Sequence, residues 1–369
     1  MDSSKGYVSL TKYLTFKEVF QEKPFVIILI ISFLLRLSWC LFFPTYPETD
    51  FMWYHTKAAE ISQGKGFLNG VYPSYTGDPA HPTAFRPIGY PGTLAAVYFI
   101  TGPNILAGKL LNLLLSMLTL ILLYTITRKF FCKRISLWAL ALFAFSPLAI
   151  VYTGILGSET LFQTLLLIVA YFTLVQRNPY LIGLSVGYLS LVRPIGIYFL
   201  SVILIFILLH KNISLKRKLL QFGVSATLAL LVLSPWLIRN YMIFGTPVYS
   251  TNAGYVIYVN NNPEAKPYWT DPYKYKDSPF KKYVHGNWND EVSIHNDGQS
   301  LALKWINENP KSFLYMGSLR LYYAYWVKLD DVMWGFTTGT NTWNSFYTKA
   351  IKIEKLFYRP FNILVFLSM

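Results

Sequence analysis

The stretch that decides the fold is residues 104–127, which read NILAGKLLNLLLSMLTLILLYTIT. A run of about 20 mainly apolar residues is long enough to cross a lipid bilayer as an α-helix. Comparable apolar runs occupy residues 24–43, 136–152, 160–175, 180–210 and 219–238. The sequence therefore predicts an all-α polytopic membrane protein.

The composition of the whole chain supports this prediction. Of its 369 residues, 53% are apolar and only 14% are charged, whereas a soluble domain carries about 25% charged residues. These values exclude a single soluble domain and a disordered chain. Cys40 and Cys132 lie beside apolar runs and form no CxxC motif, so we interpret them as core residues outside any redox or zinc motif.

The net charge of +15 by itself suits either a nucleic-acid ligand or a membrane surface. Its distribution decides between the two. Thirteen basic and three acidic side chains fall in four short segments between the predicted spans: residues 1–23, 128–134, 176–179 and 210–218. Because Lys and Arg prefer cytoplasmic loops, these segments are predicted to lie in the cytoplasm. The excess charge is thus a topology signal, and no nucleic-acid partner is expected.

The same rule sets the number of crossings. Both ends of residues 180–210 are predicted to be cytoplasmic, so this run crosses twice and turns near the outer face at Arg193-Pro194. The apolar piece at residues 90–100 is too short to cross. The predicted organisation is a cytoplasmic tail (1–23), a transmembrane module of about seven crossings with a large outer loop at 44–103 (24–238), an extracytoplasmic loop (239–312), and an interfacial helix followed by the start of a further, incomplete transmembrane segment (313–369).

Two carboxylates are candidates for chemistry at the outer face. Glu159 is the only acid in residues 88–250, and an ionisable residue in a membrane segment is a functional candidate by default. Asp50 follows the first span, at the start of a predicted helix over residues 51–61. Helix capping, with Ser158 as the N-cap in the case of Glu159, is the alternative interpretation of both.

Three arginines are predicted near the same interface: Arg86, Arg193 and Arg239. A guanidinium group is suited to bidentate phosphate binding, so together they indicate an anionic headgroup beside the carboxylates. Snorkelling of each arginine to lipid headgroups is the alternative. The histidines at 55, 81, 285 and 295 have no ligand spacing, so no metal site is predicted.

Four short blocks of this sequence resemble the GT-C glycosyltransferases, and within them the protein O-mannosyltransferase and lipid A aminoarabinose transferase group. The first runs from Thr49-Asp50-Phe51 to Gly64-Lys65-Gly66-Phe67, and the second is Arg86-Pro87-Ile88-Gly89-Tyr90-Pro91. The third is Ser158-Glu159-Thr160. The fourth pairs Arg193-Pro194 with residues 234–245, and the four blocks together span roughly residues 20–262.

The resemblance implies a GT-C-like helix bundle with extracytoplasmic juxtamembrane helices, and a glycosyltransferase that takes a sugar from a polyprenyl-phosphate carrier. It implies Asp50 as the catalytic base and Glu159 as a second acidic residue of the same cavity. Arg86, with Arg193 or Arg239, would bind the donor phosphate. Tyr54, His55 and Tyr90 would line the substrate site.

The implied partners are the polyprenyl-phosphate sugar donor, membrane lipids, and a lipid, glycan or protein acceptor. The implied location is the plasma or inner membrane, with the N-terminus cytoplasmic and the active site extracytoplasmic. The sugar, the acceptor and a requirement for a divalent cation stay open. A lipid-linked sugar transporter or flippase is the alternative function, although such proteins place their site near the bilayer midplane, often between repeated halves.

Overall fold

The computed structural model describes residues 16–45, 47, 49–68, 82–209, 213–268, 270, 278 and 291–325. Within these residues the regular structure is helical, and the only β pairing is an isolated bridge between Leu68 and Pro82. The α-helices are α1 (Phe16–Phe20), α2 (Lys23–Phe42), α3 (Thr49–Ser62), α4 (Gly89–Thr101), α5 (Ile105–Phe130), α6 (Lys133–Ala144), α7 (Pro147–Val151), α8 (Ser158–Tyr171), α9 (Pro179–Val192), α10 (Phe199–Leu208), α11 (Leu215–Phe244), α12 (Asn252–Asn260), α13 (Glu291–Glu308) and α14 (Pro310–Tyr325).

Among the described residues, four helical segments are long and apolar enough to cross a membrane. They are α2, α5, α11 and α8 with its π-helical extension Phe172–Gln176. The pair of α6 and α7, bent by 56°, counts as a fifth when it is taken as one broken span, and α9 and α10 belong to shorter apolar helices. The chain is therefore an all-α polytopic membrane protein, as predicted. The number of seven crossings and their orientation stay predictions.

The predicted break in residues 180–210 is confirmed. Helix α9 ends at Val192, Arg193 is extended with φ −143° and ψ 133°, and a 3₁₀ helix follows at Pro194–Tyr198 before α10. Proline disfavours the helical conformation in the residue before it and has no backbone N–H to donate. The apolar piece at residues 90–100, predicted to be too short to cross, lies in the 13-residue helix α4.

The described chain divides into two compact units. The first comprises residues 1–45 and 104–234, and the second comprises residues 46–103 and 235–369. In the first unit, α2, α5 and α6 pack around a core that includes Phe25, Leu113, Leu120, Tyr124 and Leu140. The helix surfaces beyond this core carry many exposed Leu, Ile and Phe side chains, as expected where lipid replaces water.

Small residues allow α9 and α11 to approach closely. A Cβ atom added at Gly183 would lie 2.5 Å from the carbonyl oxygen of Ser225, and one added at Gly187 would lie 2.6 Å from the Cβ of Val232 and 2.8 Å from the carbonyl oxygen of Ala229. Gly183 and Gly187 form a GxxxG pattern, which membrane helices use to bring backbones together. Neither position leaves room for a side chain.

Lysine side chains donate hydrogen bonds to backbone carbonyls at the C-terminal ends of several helices in the first unit. Lys109 Nζ donates to the carbonyl of Phe43 at 2.7 Å, just past the end of α2. Lys129 donates to the carbonyls of Leu174 and Val175 at the end of the π-helical segment, and Lys218 donates to that of Leu208 at 2.7 Å. The last carbonyls of a helix lack intrahelical partners and carry partial negative charge, so a cation satisfies both their hydrogen bonding and their dipole.

Arg36 has the same function inside the bundle. Its side chain is fully buried in α2, and Nη1 donates to the carbonyl of Ala144 at 2.7 Å while Nη2 donates to that of Phe143 at 3.4 Å. Its Nε atom donates to the hydroxyl of Ser116 at 2.9 Å. Arg36 therefore satisfies the carbonyls exposed where α6 ends and the chain bends towards α7.

In the second unit, the described part of the region predicted as a loop at residues 239–312 includes the helices α12 and α13. They pack through Tyr258, Ile294 and Ala302. At the crossing, a Cβ atom on Gly254 would lie 1.9 Å from the carbonyl oxygen of His295, so only glycine fits there. The helix predicted from residue 313 onward is present as α14, and its interfacial location stays a prediction. Residues 1–15 and 326–369, including the predicted incomplete transmembrane segment, lie outside the described residues.

Candidate active site

The first candidate site is built at the start of α3, in the second unit. Asp50 lies in the first turn of this helix, where a carboxylate complements the helix dipole. The preceding residue, Thr49, has φ 45°, in the left-handed region that β-branched residues rarely adopt. Such strained backbone is concentrated at functional sites. Asp50 is therefore presented from a constrained turn.

Asp50 forms an ion pair with Arg86. The Nη2 atom of Arg86 lies 2.7 Å from Oδ1 of Asp50, and the side chains are 22% and 50% exposed, respectively. Asp50 and Arg86 are 36 residues apart in sequence, so the first and second sequence blocks meet through these charged residues. The site therefore combines a solvent-accessible carboxylate with a partly buried guanidinium.

Aromatic rings surround the Arg86 guanidinium. Its central carbon lies 5.6 Å from the ring centroid of Tyr54 and 5.5 Å from that of Phe85, within the range of cation–π attraction. The Tyr54 ring in turn makes an edge-to-face contact with Tyr90, with centroids 5.1 Å apart. Tyr54 and Tyr90, both predicted to line the substrate site, therefore belong to the packing that fixes Arg86.

His55 lies on the same helix and is bound to Tyr98 of α4. His55 Nδ1 and Tyr98 Oη are 2.7 Å apart, and their rings meet edge to face. Burial lowers the pKa of His55, and burial also raises the pKa of Tyr98. His55 is consequently neutral at physiological pH and suited to hydrogen bonding.

Arg239 lies in the same unit but makes different contacts. Its Nη1 atom donates to the carbonyl of Thr83 at 2.7 Å and to Oδ1 of Asn240 at 2.8 Å, and Nη2 donates to the carbonyl of Phe67 at 3.0 Å. These bonds occupy both terminal nitrogens with protein oxygens. Phosphate binding by Arg239 stays a prediction.

The second candidate site lies in the first unit, where α8 begins. Arg193 Nη2 lies 2.5 Å from Oε1 of Glu159, and Arg193 Nε donates to the hydroxyl of Ser158 at 3.0 Å. The N-cap residue of α8 is Gly157, without a side-chain cap bond, so Ser158 is not the N-cap that the capping alternative requires. Glu159 does lie in the first turn of α8, as that alternative also requires.

The other oxygen of this carboxylate is unusual. Glu159 Oε2 is buried and has no hydrogen-bond partner among the residues that the structure describes. Buried carboxylate oxygens are normally hydrogen-bonded, and an exception calls for an explanation. An oxygen in this position can accept a hydrogen bond from a ligand.

The predicted residues therefore form two ion-paired sites in different units. Asp50, Arg86, Tyr54, His55, Tyr90 and Arg239 belong to the second unit, and Glu159 and Arg193 belong to the first. Among the described residues no three His, Cys, Asp or Glu side chains come together as a metal site. His81 and His285 lie outside the described residues.

Sequence reasoning missed four buried charged residues: Arg36, Lys57, Lys109 and Glu291. Lys57 lies on α3 with a fully buried side chain, and its Nζ atom is 2.7 Å from Oε2 of Glu60. Arg36 and Lys109 had a usable signal, because a charge inside an apolar run is itself exceptional. Glu291 had none, since a carboxylate is ordinary in the stretch 239–312 that was predicted to be an extracytoplasmic loop.

Residues 86–238 are similar to the family model described as dolichyl-phosphate-mannose-protein mannosyltransferase. The match begins at Arg86 and includes Tyr90, Glu159 and Arg193, while Asp50 and Arg239 lie outside it. No curated protein and no solved structure matches the chain. The similarity supports the resemblance to the GT-C superfamily.

Proposed function

We propose that this chain is a membrane glycosyltransferase that moves a sugar from a polyprenyl-phosphate carrier to an acceptor at the extracytoplasmic face. The observation that carries the proposal is the pairing of Asp50 with Arg86 at the start of α3. A sugar transferase of this kind needs a base for the acceptor and a cation for the leaving phosphate. The pair supplies both groups within 2.7 Å. The family match over residues 86–238 supports the same reaction class.

In the proposed step, the acceptor oxygen or nitrogen forms a bond to the anomeric carbon of the donor sugar. The bond from that carbon to the carrier phosphate oxygen breaks, and polyprenyl phosphate leaves with the electron pair. The acceptor proton moves to the Asp50 carboxylate, which acts as general base. Backside displacement of this kind inverts the anomeric centre.

Arg86 has two roles in this proposal. Without donor, its guanidinium neutralises Asp50. When the donor binds, the phosphate competes for the same guanidinium, which is suited to phosphate geometry. Movement of Arg86 towards the phosphate would free Asp50 as a base and stabilise the charge that develops on the leaving group. Donor binding would thereby activate the base.

Glu159, which is paired with Arg193, is the second acidic residue in the proposed mechanism. The Oε2 atom of Glu159, which has no partner in the described part of the chain, is suited to accept a hydrogen bond from a hydroxyl group of the sugar or the acceptor. We propose Arg193 as a further phosphate ligand. The donor sugar, whether hexose or pentose, and the acceptor, whether lipid, glycan or protein, are to be identified by experiment, as is any requirement for a divalent cation.

The direct test uses the full-length protein in proteoliposomes supplied with a panel of defined polyprenyl-phosphate sugars and candidate acceptors. Mass spectrometry would detect released polyprenyl phosphate and glycosylated product. We expect Asp50→Asn to lower turnover by roughly 10²- to 10⁴-fold, which is the range for loss of a general base. Glu308→Gln, which removes an exposed carboxylate at the end of α13, is the matched control.

Wild-type turnover in Asp50→Asn would refute the assignment of the base. Movement of intact lipid-linked sugar across the membrane without release of the carrier would indicate the transporter alternative. A folded wild-type protein that releases no carrier from any donor would refute the proposed reaction class.

A further inference from the structure

Hydrogen bonds satisfy every backbone N–H and carbonyl group of the three residues before Arg86. Thr83 N–H donates to the carbonyl of Phe67 at 3.3 Å, and the Thr83 carbonyl accepts from Arg239 at 2.7 Å. The Phe85 N–H donates to the hydroxyl of Thr83 at 3.0 Å. The carbonyls of Ala84 and Phe85 accept backbone N–H bonds from Thr251 and Asn252 at 2.9 and 3.2 Å.

The remaining backbone group, the N–H of Ala84, donates to a side chain rather than to backbone. Its acceptor is Oε1 of Glu291, at 2.5 Å, while Oε2 of the same carboxylate accepts from the hydroxyl of Thr83 at 2.9 Å. Glu291 is only 4% exposed and lies 207 residues further along the chain, at the first turn of α13. A buried carboxylate is costly unless it is paired and hydrogen-bonded. Its placement on a loop backbone therefore needs a reason.

Arg239 contributes positive charge near Glu291. Arg239 and Glu291 attract one another electrostatically, and both contact Thr83, one at its carbonyl and the other at its hydroxyl. Glu291 thus accepts from the hydroxyl of Thr83 and the N–H of Ala84, and Arg239 donates to the carbonyl of Thr83. All of these residues belong to the second unit.

We infer that Glu291 and Arg239 are positioning residues, which fix residues 83–85 from two sides and thereby set the location of the Arg86 guanidinium opposite Asp50. This role assigns a function to Glu291 and gives Arg239 a function other than direct phosphate binding. The inference rests on the proposed function for what Arg86 binds. Misplacement of a catalytic or binding group by about 1 Å can cost about 10²-fold in rate, so such a clamp has a measurable effect.

The first test measures the loop itself and needs no substrate. Hydrogen–deuterium exchange would be followed by mass spectrometry on peptides that cover residues 83–86 of the full-length protein. Glu291→Ala removes both acceptors, and we expect the Ala84 amide to exchange at least tenfold faster. Glu291→Gln keeps an oxygen for Ala84 and offers an amide donor to Thr83, so we expect it to restore most of the protection. Glu308→Ala, on the same helix but exposed, should leave exchange unchanged.

The second test measures whether the conformation of residues 83–85 determines the position of the Arg86 guanidinium. We expect Glu291→Ala to raise the KM for the polyprenyl-phosphate donor by roughly tenfold to a hundredfold, with a smaller change in the KM for the acceptor. Glu291→Gln should recover most of the donor affinity. A general loss of folded enzyme would instead lower kcat for all substrates without this split.

The outcomes separate this inference from the proposed function. Unchanged amide exchange at Ala84 in a folded Glu291→Ala variant would refute the inference that Glu291 holds residues 83–85 in place, whatever the activity of the variant. Faster exchange with an unchanged donor KM would overturn its connection to Arg86. If the wild-type protein transfers no sugar, the proposed function fails, while the exchange experiment still decides whether Glu291 holds the loop.

Discussion

Arg193 connects to α8 through two adjacent residues: its Nη2 atom lies 2.5 Å from Oε1 of Glu159, and its Nε atom lies 3.0 Å from Oγ of Ser158. Arg193 itself lies at the chain break between α9 and the following 3₁₀ helix. The ion pair therefore connects the end of α9 to the first turn of α8. It also leaves Glu159 Oε2 buried and without a partner among the described residues.

The first prediction concerns Glu159→Gln. The Arg193 and Glu159 side chains are 40% and 35% exposed, and solvent-exposed pairs contribute about 0.2–1 kcal/mol to stability. We therefore expect a small decrease in thermal stability in detergent but a decrease in sugar transfer of tenfold or more. Parallel unfolding and turnover measurements would test this. A large loss of stability with unchanged turnover per folded molecule would show that the pair is only structural.

The second prediction concerns Arg86→Lys. Lysine keeps the charge but loses the planar pair of donors and the stacking between Tyr54 and Phe85. We expect the KM for the polyprenyl-phosphate donor to rise by tenfold or more, with a smaller effect on acceptor KM. Lys311→Gln, which changes an exposed cation on α14, is the control and should behave as wild type. Equal increases in both KM values would argue against phosphate recognition by Arg86.

The third prediction concerns Glu22, the residue before α2. Its carboxylate accepts from Tyr124 Oη at 2.6 Å and pairs with Lys133 at 2.9 Å and Arg128 at 3.4 Å. Burial alone would raise the pKa of Glu22, but these hydrogen bonds and positive charges together lower it below its usual value of 4.5.

Because the pKa is lower in the folded than in the unfolded state, Glu22 stabilises the fold fully above about pH 4.5, and this contribution is lost as the pH falls through the folded pKa. We expect the unfolding temperature in detergent to drop over this acidic range. Glu22→Gln should be less stable at pH 7 and should show a shallower acid dependence. Identical pH profiles for the two proteins would contradict the assignment.

The fourth prediction uses two glycines of the first unit. Gly187→Ala places a Cβ atom 2.6 Å from Val232 Cβ, so we expect a loss of about 1–3 kcal/mol through overpacking between α9 and α11. Gly223→Ala on α11 meets nothing within 4 Å and should be neutral or stabilising by roughly 0.5–1 kcal/mol. Thermal unfolding of both variants in the same detergent would compare them directly. Equal changes would show that the close helix contact is absent.

The sequence predicted the elements that depend on local pattern. The long apolar runs became α2, α5, α8 and α11, and the proline after Arg193 produced the predicted break. The helices α12 and α13 were missed because their buried positions are few, chiefly Tyr258, Ile294 and Ala302, among many polar residues. Apolar spacing of that kind is too sparse to indicate a helix.

The sites were predictable only in part, for a physical reason. Glu159 stands out in sequence because it is the only acid in residues 88–250, and Asp50 stands out because it follows the first span at the start of a predicted helix. The contacts of Arg239 and Glu291 with residues 83–85 join positions 156 to 208 residues apart. Such pairing depends on the tertiary fold, and a single sequence contains no local signal for it.

The basic side chains at helix ends have a consequence for experiments that map membrane topology by chemical labelling. Lys109 is 4% exposed and its ammonium is bonded to the carbonyl of Phe43, and the half-buried Lys129 is bonded to the carbonyls of Leu174 and Val175. An amine engaged in this way reacts slowly with an acylating reagent on either side of the membrane. Low labelling at these lysines would therefore report local folding, and sidedness should be assigned from lysines such as Lys65 and Lys311, which are exposed.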